Sequence, residues 1–200
     1  MVPDALHFTA DADANELLAR DPLALLIGFA LDQQVTVQKA FAGPLALKQR
    51  VGTLDARKLA GMDLDEAFRE KPAIHRFPGA MAERVRDLCA HVVERYDGDA
   101  ARVWTDAATS EELRANLAAL PGFGEMKIKA LGSVLSTRFG IGTADALVPG
   151  HPTLGDVTRR RRSRPTRRPS APTRRRNVPE TPERPYERSA RSRSATSAAE

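Results

Sequence analysis

The stretch LPGFGEMKIK at residues 120–129 decides how the fold of this 200-residue chain is interpreted. Before it, residues 109–112 (TSEE) combine a capping threonine with a glutamate three residues later, and leucines follow at helical spacing. Pro121 cannot continue this helix, and Gly122 and Gly124 allow backbone angles that other residues avoid. A helical period then resumes. The sequence therefore predicts two helices joined by a tight hairpin, residues 120–124.

This stretch resembles the helix-hairpin-helix motif, whose pattern is Leu-Pro-Gly-hydrophobic-Gly followed by basic or small residues on a helix. The resemblance implies that Gly122, Phe123 and Gly124 hold a DNA backbone through main-chain amides, without reading the sequence. Amides at the positive end of a helix dipole suit a phosphate, and Lys127 and Lys129 lie where they could add charge. The alternative is an ordinary helix-helix turn with a glycine cap, which Pro-Gly-x-Gly alone does not exclude.

Charge is distributed unevenly along the chain. Residues 158–200 contain 14 arginines and 4 acidic residues, whereas residues 1–157 contain the other 17 basic and 22 acidic residues. The formal net charges of the two parts are therefore +10 and −5. An acidic body can hold DNA only if its basic groups gather on one face.

Residues 158–200 form a tail rich in arginine, proline and serine. Arginine runs at 159–162 and 174–176 alternate with six prolines, and apolar residues nearly vanish, so we expect the tail to be disordered. It could bind nucleic-acid phosphates without sequence choice. Alternatively, the composition is that of GC-rich coding DNA read out of frame, in which case the second half of the domain is incomplete.

The polar pair Gln33 and Gln34 interrupts two strongly apolar helical segments. It resembles the Gln-Gln turn of HhH-GPD superfamily base excision repair glycosylases, especially those related to alkyladenine glycosylases. In those proteins the glutamines approach the DNA near the extruded nucleotide. An amide side chain both donates and accepts hydrogen bonds, so it can probe a base edge or fill the space that a base vacates. A simple exposed turn is the alternative.

The order of elements extends this resemblance over about residues 15–140, and no segment alternates as a strand would. The expected fold is all-α, a two-lobed helical bundle of the HhH-GPD glycosylase type with a groove between the lobes. The expected domains are an irregular N-terminal arm at 1–14, a helical domain at 15–157 and the tail at 158–200.

The resemblance also implies where the chemistry lies. An aspartate about twenty residues past the hairpin would stabilise the cationic sugar that develops as the base departs, and Asp145 is the candidate. Pro149 prevents the helix that the family places next, so a solvated loop carboxylate is an equal alternative. The lysine of bifunctional members falls on Met126, with Lys127 one residue later and turned out of the groove, so we expect a monofunctional enzyme. Asp32, beside the glutamines, is a second candidate carboxylate.

The remaining titratable residues indicate no metal or redox site. The single cysteine, Cys89, excludes an intrachain disulfide and a four-cysteine iron-sulfur cluster, and its helical context predicts a buried, reduced thiol. His75 and His91 have no partners at ligand spacing and are expected at the surface or its boundary. No cofactor is expected, although the resemblance would allow a monovalent cation at the hairpin.

Compartment and partners follow from what the sequence lacks. There is no basic leader segment and no apolar run of about twenty residues, so we expect a cytoplasmic, nucleoid-associated monomer without a membrane partner. The expected function is hydrolysis of the N-glycosidic bond in double-stranded DNA with a damaged or mismatched base. The alternatives are a non-catalytic helix-hairpin-helix DNA-binding protein, and a helical protein-interaction module with a truncated or frame-shifted catalytic lobe.

Overall fold

The computed structural model describes residues 3–157, and these form α-helices and two 3-10 helices without a β-strand. The all-α prediction is therefore confirmed for this part of the chain, and the predicted tail lies outside it. The helices are α1 Ala12–Arg20, α2 Pro22–Leu31, α3 Val37–Val51, α4 Ala56–Gly61, α5 Asp65–Arg69, α6 Pro78–Tyr96, α7 Arg102–Thr105, α8 Ser110–Ala118 and α9 Glu125–Phe139, followed by 3-10 helices Gly142–Leu147 and Leu154–Asp156.

Helix α2 lies at the centre of the core. Asp21 caps it by accepting the amides of Leu23 and Ala24, and Pro22 occupies the first turn, where no amide donor is needed. All residues after Pro22 are buried, and the helix packs against α1, α3 and α6. At ten residues α2 is far too short to cross a bilayer, and no helix within residues 3–157 is long and apolar enough to do so.

The N-terminal segment is more ordered than the predicted irregular arm. Helix α1 starts at Ala12, three residues before the predicted start at Asn15, because Asp11 accepts the amides of Asp13 and Ala14 as an N-cap. The buried Asn15 side chain also accepts the amides of Phe8 and Thr9, each at 3.0 Å. Since Leu6 and Phe8 are buried as well, this segment closes one side of the core.

Close packing of α2 against α3 requires a glycine at position 28. In α2, a Cβ added to Gly28 would lie 2.6 Å from Cδ1 of Phe41, which is fully buried on α3. Phe41 in turn makes edge contacts with Phe29 and Phe8, with ring centroids 5.0 and 4.9 Å apart. The absence of a side chain at Gly28 thus lets α2 and α3 approach each other over an aromatic cluster.

The buried side chains form one continuous core from Leu6 to Leu147. Helix α6 contributes the predicted buried thiol of Cys89, whose pKa burial raises to about 12. At the other end of the core, α9 receives both 3-10 helices. Gly132 leaves room for Leu147, and Gly155 lies against the buried Ser133.

Replacing Gly28 by alanine should destabilise the fold, because the added Cβ would press on Phe41, which is fully buried against Phe8 and Phe29. We expect the free energy of unfolding to fall by about 1–3 kcal/mol, the usual cost of overpacking a core. Gly61→Ala is the matched control, since a Cβ there meets no atom within 4 Å. Urea denaturation measures both. Equal midpoints for the two variants would contradict the packing described here.

Candidate nucleic-acid interface

The predicted hairpin is present between α8 and α9. Thr109 caps α8 by accepting the amide of Glu112 at 3.1 Å, and the Glu112 carboxylate accepts the amide of Ala108 at 2.7 Å. Local hydrogen bonds therefore fix where the first helix begins. Its apolar face is buried through Leu113, Leu117 and Leu120.

The reversal depends on Gly122 and on the buried ring of Phe123. The amide of Phe123 donates to the carbonyl of Leu120 at 3.1 Å, and Gly122 has φ = 80°, in the left-handed region that favours glycine. A Cβ at Gly122 would also come within 2.9 Å of Cδ of Arg84 on α6. The turn is thus held by its own backbone, by the core and by the neighbouring arginine.

The start of α9 presents main-chain amides to the outside. Gly124, Glu125 and Met126 are exposed, Met126 to 72% of its surface. Their amides donate no hydrogen bond to any atom of residues 3–157, whereas the next two amides both donate to the carbonyl of Gly124. Gly124 has φ = −93° and open space where a side chain would be. Three successive main-chain donors at a helix N-terminus are therefore without an acceptor within residues 3–157, an arrangement that suits an anion.

The charged groups around these amides are mostly paired. Glu125 lies between Arg114, at 2.6 Å, and Lys129, at 3.5 Å, and all three side chains are about half exposed. Lys129 is therefore near the hairpin as predicted, but its charge is shared with Glu125. Arg84, which contacts Gly122, adds a third cation beside the turn. These three cations outnumber Glu125 at the turn, although the body of the protein is acidic.

Lys127 connects the hairpin to the end of α2. Its Nζ donates to the carbonyl of Ala30 at 3.1 Å and lies 5.7 Å from the centre of the Phe123 ring. The pKa of Lys127 is lowered to about 8, first by burial and then by the charge of Arg84, while Asp32 acts in the opposite direction. Burial likewise raises the pKa of Asp32, and Lys127 counters that rise. The amine is thus directed at the α2 carboxyl end, where a cation is favourable.

Beside this contact lies the glutamine turn, residues 32–36, between α2 and α3. Gln34 is exposed with φ = 51°, and Gln33 is partly buried. The amide of Gln33 donates to the carbonyl of Leu31 at 2.7 Å. Because Lys127 reaches Ala30, the structure brings the predicted hairpin and glutamine residues to neighbouring positions at one end of α2.

His75 lies beneath the glutamine turn, and its predicted surface position is wrong. The side chain is 1% exposed, and its Nε2 lies 2.9 Å from the carbonyl of Gln33. Its Nδ1 accepts the amide of Phe77 at 3.1 Å. Sequence reasoning missed this role because both partners are main-chain atoms, one of them 42 residues away. His91, by contrast, lies at the predicted boundary between core and surface.

Asp145 lies apart from the hairpin and the glutamine turn. It is exposed in the first 3-10 helix and accepts a hydrogen bond from Oγ of Ser136 at 2.6 Å. Ser136 follows Lys127 on α9 by about two and a half helical turns, so the two side chains project from opposite faces. Asp32 is the candidate carboxylate that lies beside the hairpin.

A concave region of about 230 Å³ opens at the N-terminus of α2 and is lined by Asp21, Asp55 and Asp99 among others. Each of these carboxylates already accepts a main-chain amide, from Leu23, Lys58 and Ala101 respectively. Within residues 3–157 no group of three or more His, Cys, Asp or Glu side chains could hold a metal ion. Asp21 and Asp55 therefore serve as helix N-caps, and Asp99 closes the turn before α7.

No protein-family model, curated protein or solved structure matches this chain. The functional interpretation consequently depends on the residues and the geometry described above.

The lowered pKa of Lys127 has a consequence for stability that can be measured. The unfolded chain keeps this proton up to about pH 10.5, whereas the native protein releases it near pH 8, so unfolding takes up a proton between these values. The free energy of unfolding should therefore increase, and the native protein become more stable, as pH rises through this window. Urea denaturation of the native protein and of Lys127→Met, at several pH values, measures the difference.

Lys129→Met is the control for this experiment, because Lys129 is a half-exposed lysine two residues further along the same helix. It should follow the pH dependence of the native protein. Curves that run parallel for Lys127→Met and the native protein would show that Lys127 is not buried as described.

Proposed function

We propose that this protein binds duplex DNA through its hairpin, as a helix-hairpin-helix protein of the HhH-GPD base excision repair glycosylase type. The observation that carries the proposal is that the amides of Gly124, Glu125 and Met126, three exposed residues, have no hydrogen-bond acceptor among residues 3–157. A phosphate accepts such donors, and Arg84 and Lys129 supply charge nearby. Contacts of this kind hold the backbone and do not discriminate sequence.

The glutamine turn supports binding next to an altered nucleotide. It lies at the same end of α2 as the hairpin, linked by the contact between Lys127 and Ala30. Gln34 is exposed, so its side-chain amide is available to a base edge or to the space left by an extruded base. A protein that grips one strand by its phosphates and probes a neighbouring position is suited to damaged or mismatched duplexes.

For the chemistry, we propose monofunctional hydrolysis of the N-glycosidic bond, with Asp145 as the carboxylate that stabilises the sugar cation. Lys127 donates to a main-chain carbonyl of the core, and the position of the lysine nucleophile is occupied by Met126. Both features agree with a mechanism in which water, and not an amine, attacks the sugar.

A non-catalytic DNA-binding protein is the second candidate. It is favoured by the position of Asp145, which is bound to Ser136 on the face of α9 opposite to Lys127. In this alternative the hairpin and the glutamine turn bind the duplex without base release. The two candidates share the interface and differ only in chemistry.

Replacement of Gly124 tests the interface itself. In Gly124→Asn, the backbone angles suit any residue, and asparagine is a good helix cap, so the fold should be retained. Its side-chain oxygen would accept an α9 amide and cover the donors. Affinity for duplexes of any sequence should fall by about tenfold or more, the value of a charge-assisted hydrogen bond. Fluorescence anisotropy at low salt measures this.

Two further variants sharpen the result. Gly140→Asn makes the same substitution at the left-handed C-cap of α9, away from the hairpin, and should leave affinity unchanged. Glu125→Gln should raise affinity, because it removes a negative charge next to the amides and frees Arg114 and Lys129. Unaltered affinity in both Gly124→Asn and Glu125→Gln would exclude the hairpin as the DNA-binding site.

Asp145→Asn separates the two candidate functions. If Asp145 stabilises the sugar cation, its neutral amide should reduce release of alkylated, oxidised or deaminated bases by about 100-fold or more while duplex affinity is retained. Asp87→Asn, at an exposed position on α6, is the control. Full excision by Asp145→Asn would remove this residue from the site. Absence of release from every duplex by the native protein would favour the non-catalytic candidate.

A further inference from the structure

The buried ring of His75 joins two segments that are distant in sequence. The amide of Phe77 is a donor, so Nδ1 must be the unprotonated nitrogen, and the proton on Nε2 is donated to the carbonyl of Gln33. The ring is therefore a neutral imidazole that uses both of its nitrogens. One hydrogen bond holds the glutamine turn and the other holds the start of α6.

The glutamine turn needs such support. Gln34 adopts a left-handed conformation, which costs a non-glycine residue free energy and persists only where surrounding contacts enforce it. Within the turn, Gln33 makes one short-range main-chain bond, to Leu31. Within residues 3–157, the contact from His75 to Gln33 is a long-range hydrogen bond that ties the turn to the rest of the protein.

The second segment exposes groups suited to a nucleic acid. Phe77 is 43% exposed, and the guanidinium of Arg76 lies 4.7 Å from the centre of its ring. A cation stacked on an exposed aromatic ring suits both phosphates and base faces. His75 thus fixes the glutamine turn and the stacked Arg76–Phe77 pair in position relative to each other.

We propose that His75 is a positioning residue that fixes the glutamine turn against the Arg76–Phe77 segment, so that the turn recognises the position of a missing or extruded nucleotide. This inference rests on the proposed function, because it assigns the glutamine turn to the same DNA-binding surface as the hairpin. His75 itself does not reach the DNA, and it acts through Gln33.

Protonation of His75 should leave the support of the turn intact. Burial lowers the pKa of His75 most, and Lys39 on α3 and Arg76, the charged groups that face it, lower it further, so the ring is neutral at pH 7. At acidic pH a protonated Nδ1 could no longer accept the amide of Phe77, but Nε2 would still donate its proton to the carbonyl of Gln33. The turn should therefore keep its long-range hydrogen bond as pH falls.

The experiment uses two duplexes of one sequence, one intact and one carrying a tetrahydrofuran abasic analogue. His75→Gln places an amide donor near Nε2 and keeps the bond to Gln33, whereas His75→Asn places an acceptor near Nδ1 and keeps only the bond to Phe77. The native protein and His75→Gln should prefer the abasic duplex. His75→Asn should lose about five- to tenfold of this preference, the value of one hydrogen bond, with little change for the intact duplex.

Three additional measurements make the outcome decisive. The preference of the native protein should persist on acidification, as should that of His75→Gln, because protonation of Nδ1 leaves the bond from Nε2 to Gln33 in place. Gln34→Ala, an exposed substitution that does not disturb the core, should lose the preference as His75→Asn does. Thermal unfolding of both His75 variants controls for stability, since each lacks one hydrogen bond.

The results distinguish the inference from the proposed function. Weak binding of both duplexes by the native protein would overturn the DNA-binding proposal and this inference with it. Binding of both duplexes with the same preference in His75→Asn as in the native protein would overturn the inference alone. If the His75 variants do not fold, Gln34→Ala still decides it, because an unchanged preference in that variant contradicts the role assigned to the turn.

Discussion

Burial of α2 on almost all sides is the constraint that positions the rest of the molecule. A helix with one capping aspartate and otherwise apolar residues can only be stable at the centre, so α1, α3 and α6 must surround it. Its carboxyl end then becomes the meeting point for distant segments. The glutamine turn begins at this end, and the ammonium of Lys127 binds the carbonyl of Ala30 there. His75 contacts Gln33, the second residue after the helix.

The electrostatics of the candidate interface differ from a simple basic patch. The two lysines that follow the hairpin are each engaged, Lys127 with a helix carbonyl and Lys129 with Glu125. What the hairpin offers to solvent is therefore a row of neutral donors with paired charges around it. Such a surface recognises an anion by geometry more than by long-range attraction, which is consistent with an acidic body. Replacement of Glu125 would change the charge beside the hairpin amides more than replacement of a distant lysine would.

Features that depend on local chemistry were predictable from the sequence. The capping aspartate and proline before α2, the Thr-x-x-Glu start of α8 and the glycine-bearing hairpin each act over a few residues, and the structure has all of them. Cys89 was predictable as a buried thiol from its helical context. The early start of α1 was also readable, because Asp11 caps it as Asp21 caps α2, but the alternating aspartates and alanines concealed which residue was the cap.

Features that depend on distant partners were not predictable. His75 is buried because two main-chain groups from separate segments satisfy its ring, and nothing near it in sequence indicates either. Lys127 was expected to add charge to the surface, but its direction is set by a carbonyl 97 residues away. Asp145 is bound to Ser136, so its position relative to the hairpin depends on the rotation around α9 between Lys127 and Ser136. This rotation can be calculated from the sequence only when it is known that one helix includes both residues.

The single thiol of this chain has a practical value that arises from its position. Cys89 lies fully inside α6, and its pKa of about 12 leaves essentially no thiolate under ordinary conditions. Alkylating reagents and oxidants therefore reach it only when the helices around it separate. Because the sequence contains no other thiol, the rate of its modification reports opening of the core, without a background from other sites. Cys89 is therefore a built-in probe of core unfolding.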